Sequence, residues 1–432
     1  MRDRPASQAE LTRRTVLGGV AAASSLSWPI GQARASSRLG PFAGDIAMTF
    51  KDGEDIKLPD GIRQRSLAGI NGLTVNVLEA GHETPGRPAV LLLHGFPDLA
   101  FSWRRTMLPL AAAGYHVIAP DQRGYGATTG WDDGYDGDVA SFRTHSYARD
   151  ALGVVAALGH RSVAAVVGHD FGSMVAAYCA LVRPDVFRTL VMMSFPFDGP
   201  PAIPFDTAAK PPAPPEPSMA AQLAALSPPR QDSMAWFGTP GANADMLRAP
   251  QGLHDFLRAY FHVKSADWPG NRPHPLATGS AAELATLPTY YIMDAGVGMA
   301  ATVAPDMPTP AEIAANRWLP EADLAAYTAA FGRTGFQGGL NWFRCHTGPI
   351  GRSEIELFAG RSIDVPSCFI SGAADWGTYR KPGAIERMRA TTCTRMDGVH
   401  LIEGAGHWVQ QEQPERFNAI LLEFLRRHAV PG

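Results

Sequence analysis

The stretch GHDFGS at residues 168–173 places an aspartate between two glycines, directly after a run of small and β-branched apolar residues. The spacing Gly168-x-Asp170-x-Gly172 is that of the tight strand-to-helix turn on which many hydrolases hold a serine nucleophile. Glycines suit both sides of such a turn, because a Cβ there would clash and the residue at the tip is often strained. A carboxylate at the tip changes the chemistry that the turn can support.

Further residues with catalytic character follow in a recognisable order. Asp375 comes after a late strand pattern in SGAADWG, and His407 lies in EGAGHW after the next one. Nucleophile, acid and then histidine is the chain order of triads built on this turn. Upstream, HGFP follows an apolar strand pattern, so the backbone N–H groups of Phe96 and Phe171 are expected to form an oxyanion hole.

The aspartate also indicates the kind of bond that is attacked. A serine that attacked a saturated carbon would leave an ether, whereas a carboxylate leaves an ester that activated water can hydrolyse. An aspartate nucleophile therefore predicts an epoxide or an alkyl halide as substrate, rather than an ester or amide. Asp170 is expected to form an alkyl-enzyme ester, and His407, oriented by Asp375, to activate the water that cleaves it. This chemistry requires no cofactor and no metal.

Short apolar runs predict the strands that must carry these residues. They occupy residues 73–79, 89–93, 116–119, 163–167, 189–194, 367–371 and 399–402. Their richness in Val, Leu and Ile suits strands buried on both faces, which is typical of a parallel sheet covered by helices. Helical patterns lie at residues 146–158, 173–182 and 414–427. The alternation predicts an α/β fold with a doubly wound, mostly parallel sheet.

The strand rhythm is interrupted by an insertion. Residues 200–217 are too rich in proline to continue a sheet. Helical patterns follow near residues 219–226, 253–261, 281–287 and 321–331. We expect a mostly helical cap at 196–356, inserted between core segments 36–195 and 357–432. Such a cap would cover the strand ends, where open α/β sheets bind ligands.

The N-terminus has the pattern of an export signal. Arg13 and Arg14 precede the apolar stretch 16–26, and Ala33-Arg34-Ala35 matches a cleavage site. Residues 1–35 are therefore predicted to be a twin-arginine signal, which implies a periplasmic or secreted protein. A disordered tail or an uncleaved anchor is the alternative. The apolar stretch is too short for a membrane span of ~20 residues, so no stable span is expected after cleavage.

The composition limits the classes of partner. The 432 residues include 38 Lys+Arg and 41 Asp+Glu without a long run of either sign, which argues against nucleic acid as a partner. The 4 cysteines form no C-x-x-C pair and no His/Cys cluster, so neither a zinc site nor a redox pair is predicted. Whether the cysteines pair, and whether the chain forms a homodimer, the sequence leaves open.

Five motifs in order carry a resemblance to a known family. VLLLHGFP, DQRGYG, GHDFG, SGAADWG and GHW together resemble the epoxide-hydrolase branch of the α/β-hydrolase superfamily, from about residue 60 to residue 425. The resemblance implies an α/β-hydrolase fold with a cap. It also implies a small apolar substrate, an epoxide that is opened to a diol.

One feature departs from that family. Its members open the epoxide ring with two cap tyrosines, which donate hydrogen bonds to the leaving oxygen. One of them belongs to an Asn-Trp-Tyr-Arg pattern, but this chain has Phe343 at the tyrosine position, and Ser233 aligns with the other tyrosine. Cap residues that are candidates to replace the donors or line the pocket are Trp236, Tyr260, His262, Tyr327 and Phe343.

Other activities use similar machinery. Dehalogenases share the aspartate nucleophile but hold the halide with a Trp beside it and a nearby Asn or Trp, and fluoroacetate-type relatives use an arginine. Phe171 and Phe96 count against both arrangements. An ester or lactone hydrolase is a further alternative. A non-catalytic, ligand-binding pseudoenzyme is another, although the complete triad argues against it.

Overall fold

An eight-stranded, mostly parallel sheet forms the centre of this computed structural model, which describes residues 57–201, 217–348, 350 and 352–428. In chain order the strands are β1 (Ile62–Ile70), β2 (Leu73–Ala80), β3 (Ala89–Leu93), β4 (His116–Pro120), β5 (Ala165–His169), β6 (Leu190–Met193), β7 (Arg230–Asp232), β8 (Ile292–Asp294), β9 (Ser367–Gly372) and β10 (Met396–Ile402). The large sheet has the order β1-β2-β4-β3-β5-β6-β9-β10, and β2 is antiparallel to both neighbours while the remaining pairs are parallel. The predicted fold class is confirmed. The export signal expected at residues 1–35 lies outside the described residues.

Helices cover the sheet and fill the insertion. They are α1 (Arg104–Ala112), α2 (Thr144–Ala157), α3 (Phe171–Val182), α4 (Met219–Ala224), α5 (Ser233–Phe237), α6 (Ala242–Leu247), α7 (Leu253–Lys264), α8 (Ala281–Leu284), α9 (Met299–Val303), α10 (Pro310–Ala315), α11 (Glu321–Thr334), α12 (Gln337–Thr347), α13 (Arg352–Ile355), α14 (Ala384–Arg387), α15 (Val409–Glu412) and α16 (Pro414–His428). Between β6 and β9 lie α4–α13 and the antiparallel pair β7–β8. The insertion is thus mostly helical.

Strand β3 illustrates why these runs are apolar throughout. Leu91 and Leu93 pack into the core beneath α2 and α3, whereas Val90 and Leu92 pack into the core beneath α1 and α16. Successive side chains of a strand point to opposite faces, and here both faces are covered. The strand therefore has no position that favours a polar residue.

The predicted strands agree with the observed ones to within three residues at each end. The largest differences are in β5, which begins at Ala165 while Val163 forms only an isolated bridge to Phe187, and in β10, which begins at Met396. Helix α7 continues to Lys264, beyond the predicted end at residue 261. Strands β1, β7 and β8 were not predicted.

Cap helix α12 lies directly on the loop of the DQRGYG motif. A Cβ on Gly338 would be 2.3 Å from the carbonyl oxygen of Gly124, and a Cβ on Gly339 would be 2.6 Å from the Tyr125 hydroxyl. Both glycines are therefore needed for this close approach. This contact sets the distance between α12 and the core, and therefore also the position of Phe343, which belongs to α12.

The 4 cysteines are all buried and unpaired in this fold. No helix in the part of the chain that the structure describes is long and apolar enough to cross a membrane.

Candidate active site

Asp170 occupies the strained turn between β5 and α3. Its φ of 57° and ψ of −124° are rare for a residue with a side chain. A Cβ on Gly168 would be 2.0 Å from the carbonyl oxygen of Gly172, and a Cβ on Gly172 would be 2.4 Å from that of His94. Only glycine fits at both positions, so the glycines of the motif are a steric requirement of the turn.

The structure brings Asp170, Asp375 and His407 together. His407 Nε2 is 3.4 Å from Asp170 Oδ2, and Nδ1 is 3.3 Å from Asp375 Oδ1. Nε2 makes no hydrogen bond among the described groups, so it is available to a water molecule. Asp375 is itself held by the N–H of Gly377, at 2.8 Å from Oδ1.

Ser194 is a further polar neighbour that the sequence did not suggest. It follows β6 with a φ of 69°, and its Oγ lies 2.9 Å from His407 Nδ1. The imidazole is thus held on its Nδ1 side by a hydroxyl as well as a carboxylate. The signal that sequence alone offered, a serine just after a buried strand, is too common to have singled it out.

The charges of the triad support one another. Burial raises the pKa of Asp170, but the close approach and positive charge of His407, together with the charge of Lys264, hold it below its usual value. Burial likewise acts against ionisation of Asp375, yet His407, Ser194 and Gly377 bring its pKa down to about 2. Both carboxylates are therefore ionised at neutral pH, and the first is ready to act as a nucleophile.

A backbone donor lies against the nucleophile. The N–H of Phe96 donates a hydrogen bond to Asp170 Oδ1 at 3.0 Å. A Cβ on Gly95 would be 2.3 Å from Asp170 Cβ, so the HGFP loop touches the aspartate directly. The N–H of Phe171, the other predicted donor, begins α3 and has no partner among the described groups, as is usual for the first N–H of a helix.

Asp170 opens into a cavity of about 780 Å³ between core and cap. Much of its wall is aromatic, with Phe96 and Phe171 from the core and Phe237, Trp342 and Phe343 from the cap. Cavities of this size and lining bind small, largely apolar ligands.

Two of the proposed cap residues lie in this wall. Tyr260 is buried and its hydroxyl has no hydrogen-bond partner among the described residues. Phe343 packs edge-to-face on Phe96, with 5.2 Å between ring centroids, and contributes no donor. Ser233, which aligns with the second tyrosine of the family, also lies in the wall.

The other three candidates lie elsewhere, and the expectation that they face the pocket needs correction. His262 points from α7 into a separate cavity beside Arg258 and Glu312. The Tyr327 hydroxyl lies 3.4 Å from Gln411 Oε1, beneath the cap. Trp236 packs on Phe237 without reaching the cavity. Helix position explains the difference, because neighbours in sequence point to different sides of a helix.

Lys264 is a cavity residue that sequence reasoning missed. It is the last residue of α7, and its side chain is 4% exposed. Its Nζ lies 5.4 Å, 5.2 Å and 5.7 Å from the ring centroids of Tyr260, Tyr291 and Trp408. A lysine in the last turn of a helix is ordinarily explained by the helix dipole. The useful signal was its spacing, four residues after Tyr260 and so on the same helix face.

Comparison with known proteins points to one family. Residues 88–237 match the family model described as alpha/beta hydrolase fold. The chain is 32% identical over 380 residues to epoxide hydrolase A of Mycobacterium tuberculosis, covering 84% of this chain and 98% of that protein. It is 32% identical to an epoxide hydrolase of Caballeronia sordidicola, covering 85% and 94%.

Solved structures agree with the sequence relatives. An epoxide hydrolase from an endophytic Streptomyces superposes with a TM-score of 0.66 at 30% identity, covering 85% of this chain and 96% of that one. Epoxide hydrolase A from Mycobacterium thermoresistibile gives a TM-score of 0.64 at 31% identity, covering 84% and 98%.

Proposed function

The chain belongs to the epoxide hydrolases of the α/β-hydrolase fold, and on that premise we propose that it opens a small apolar epoxide at Asp170 and hydrolyses the resulting ester to a diol. The observation that carries this mechanism is the placement of the Asp170 carboxylate, with Oδ1 on the Phe96 N–H and Oδ2 facing His407. Each oxygen then has a separate role.

In the first half-reaction Oδ2 of Asp170 attacks a ring carbon and the C–O bond of the epoxide breaks. The aromatic walls hold the apolar part of the substrate and keep bulk water from the carboxylate. The Tyr260 hydroxyl, which has no partner in the described part of the chain, is a hydrogen-bond donor for the leaving oxygen. The product of this step is an alkyl ester of Asp170.

In the second half-reaction His407 Nε2 takes a proton from water, which attacks the ester carbonyl carbon. Asp375 orients the imidazole and stabilises its positive charge. The carbonyl oxygen is Oδ1, which accepts from the Phe96 N–H, and in this mechanism the Phe171 N–H is the second donor to the oxyanion. Collapse of the tetrahedral intermediate releases the diol and restores the carboxylate.

The covalent step can be tested directly. We expect His407→Gln to accumulate an adduct whose intact mass exceeds that of the protein by the mass of the epoxide, because the ester forms but is not hydrolysed. Wild-type protein that turns over in ¹⁸O-water should acquire ¹⁸O in the peptide containing Asp170. Asp170→Asn should show neither effect, while keeping the thermal stability of a folded protein.

The same experiment separates the alternatives. A mixed panel of epoxides, haloalkanes and esters is scored for diol, halide and acid. Halide released without diol would assign the protein to the dehalogenases, and acid released only from esters would assign it to the ester hydrolases. Ligand-induced stabilisation without any product would indicate a binding protein.

The proposal extends to the location of the enzyme. Arg13 and Arg14 before an apolar stretch, and the Ala33-Arg34-Ala35 pattern, support export through the twin-arginine route with cleavage near Ala35. Replacing both arginines by lysine should retain the full-length chain in the cytoplasm, as cell fractionation would detect. Light scattering of the exported protein will show whether it forms the homodimer that the sequence leaves open.

A further inference from the structure

Ring opening places a negative charge on the departing oxygen, and this chain lacks the usual donor for it. Phe343 has no hydroxyl, and Ser233 is much shorter than a tyrosine. Removing one donor from a developing oxyanion slows a reaction by about 10²–10³-fold. The Tyr260 hydroxyl replaces only one of the two donors, so the cavity needs a second acidic group beside Asp170.

We propose that the Lys264 ammonium is that group, and that it transfers a proton to the epoxide oxygen as Asp170 attacks. The inference rests on the proposed function, because it assigns a further catalytic residue to the same first half-reaction. Lys264 lies in the wall of the cavity that contains Asp170, and it is buried there.

The position of Lys264 is tied to the catalytic histidine. The N–H of His407 donates a hydrogen bond to the carbonyl oxygen of Lys264 at 2.9 Å. The end of α7 and the loop of His407 therefore keep a fixed separation. The aromatic rings of Tyr260, Tyr291 and Trp408 surround the ammonium and restrict its side chain. The lysine is thus held in place, as a proton donor must be.

The hydrogens of the ammonium are not used elsewhere. Nζ makes no hydrogen bond to any described residue, and no described carboxylate lies within 4.0 Å of it. A largely buried lysine whose ammonium has no protein partner is costly to keep, so its retention requires a reason. A ligand oxygen in the cavity would supply the missing acceptor.

The electrostatic surroundings suit an acid. Burial lowers the pKa of Lys264, whereas the charges of Asp170 and Asp375 raise it and Arg380 lowers it again, and the net result lies below the usual value. A lysine with a lowered pKa gives up its proton more readily than an exposed one. The titratable and charged groups that face it are Asp170, Tyr260, Tyr291, Asp375, Arg380 and His407.

Protons and electrons balance over the cycle. Attack by Asp170 forms one C–O bond and breaks another, and the oxygen that departs takes its proton from Lys264, which becomes a neutral amine. Water then gives a proton to His407 and its hydroxide to the ester carbonyl. Collapse expels an alkoxide that regains the proton from His407. The carboxylic acid left on Asp170 loses its proton, and Lys264 is protonated again, so that epoxide and water give diol.

The decisive experiment measures ester formation alone. In a His407→Gln background, rapid quenching and intact-mass measurement follow the adduct with an epoxide such as styrene oxide. Adding Lys264→Met should slow adduct formation by about 10²–10³-fold, since the neutral side chain keeps the volume but has no proton. The matched control is Lys57→Met, which removes an exposed lysine that does not line the cavity. This control should leave the rate within about twofold.

The pH dependence needs no lysine variant, so it tests the proposal even if Lys264→Met does not fold. Adduct formation in His407→Gln should fall as the pH rises through the pKa of Lys264, below the value of about 10.4 for a free lysine. A rate that is independent of pH up to 10.5, or unchanged in a folded Lys264→Met protein, overturns the role of Lys264 alone. Failure of every epoxide to form an Asp170-dependent adduct overturns the proposed function as well, so the two failures are distinguishable.

Discussion

At the scale of single residues, opposing electrostatic effects determine the pKa of His407. Burial and the charge of Lys264 lower its pKa, but Asp375 and Asp170 outweigh them and hold the pKa above its usual value. A general base must be neutral to accept a proton. Asp375, which positions the imidazole, therefore also raises the pH at which the second half-reaction becomes fast.

This balance predicts the pH profile of ester hydrolysis. Because Asp170 is a neutral ester at this stage, Asp375 is the carboxylate that still raises the pKa of His407, and the single-turnover rate should rise with pH as the imidazole loses its proton. Asp375→Asn should shift this rising limb of the pH profile to lower pH, because it removes a charge that raises the pKa of His407. It should also slow ester hydrolysis by about 10²–10⁴-fold. Measurement from pH 5 to 9 checks each direction.

The control for this series is Asp397→Asn. Asp397 pairs with Arg427 at 2.8 Å, away from the cavity. Its replacement should change neither the position of the limb nor the maximum rate. A limb that shifts equally in both asparagine variants would contradict the assignment of Asp375.

The turn that carries the nucleophile predicts a steric effect on stability. In Gly172→Ala the new Cβ would lie 2.4 Å and 2.6 Å from the carbonyl oxygens of His94 and Leu93. Since backbone atoms cannot yield cheaply, we expect a loss of more than about 4 kcal/mol in the free energy of unfolding. Gly241→Ala has open space around its Cβ and should change stability by no more than about 0.5 kcal/mol. Urea unfolding followed by fluorescence compares the two, and equal losses would refute the steric explanation.

At the scale of elements, the end of α7 and the loop of His407 are joined by several hydrogen bonds. The Trp408 indole N–H donates to the carbonyl oxygen of Phe261 at 3.0 Å. The carboxylate of Glu412 accepts from the N–H groups of Ala266, Gly406 and Trp408 at 2.8 Å, 2.8 Å and 2.9 Å. One carboxylate thus holds the residues on both sides of His407 and the segment that follows Lys264.

Glu412→Gln should loosen this junction. The amide has one acceptor oxygen instead of two and faces an N–H with its own donors, so we expect a loss of about 1–3 kcal/mol in stability. Ester hydrolysis should slow as well, because the His407 loop is less well held. Glu415→Gln, which changes an exposed residue of α16, is the matched control. Thermal unfolding and single-turnover kinetics are measured for both variants. If Glu412→Gln lowers the stability but leaves the rate of ester hydrolysis unchanged, Glu412 stabilises the fold without positioning the His407 loop.

Strands and helices with a clear hydrophobic pattern could be predicted from the sequence. Those whose residues are explained only by contacts with other parts of the fold could not. The buried strands such as β3 are continuous apolar runs. Strand β1 was missed because it lies at the sheet edge and buries only Ile62, Leu67 and Ile70, which is not an alternating pattern. Helix α12 was missed because Gly338 and Gly339 disfavour a helix, and the reason for them is their contact with the core loop.

The residues of the site also fall into those that the sequence predicted and those that it did not. Asp170, Asp375 and His407 were found because each follows a recognisable strand and their order is informative. Lys264 and Ser194 have no such pattern, because the role of Lys264 depends on which side of α7 faces the cavity, and that of Ser194 on its contact with His407. That orientation is decided by packing between cap and core, which one sequence does not reveal.

At the scale of the whole molecule, the interior isolates all 4 thiols. Burial raises the pKa of Cys345 and of Cys393 to about 11, and that of Cys368 to about 12. The thiolate is the reactive form, so these residues should be unreactive in the folded protein. An oxidising compartment would then leave them reduced.

Thiol labelling tests this property of the intact fold. Iodoacetamide at pH 8 should add no mass to the native protein over an hour, and 4 labels once the protein is denatured without reductant. A label gained rapidly in the native state would indicate an accessible cysteine. Fewer labels after denaturation would indicate a disulfide.

The hydrogen bonds between α7 and the His407 loop also limit the exchange of caps between related enzymes. A cap transplanted from a relative would bring its own residue in place of Lys264, but it would meet a core loop shaped around Trp408 and Glu412. Chimeras are therefore expected to be active only when α7 and residues 404–412 come from the same parent. In this molecule the end of α7 and the catalytic loop form one hydrogen-bonded unit, even though they lie far apart in the chain.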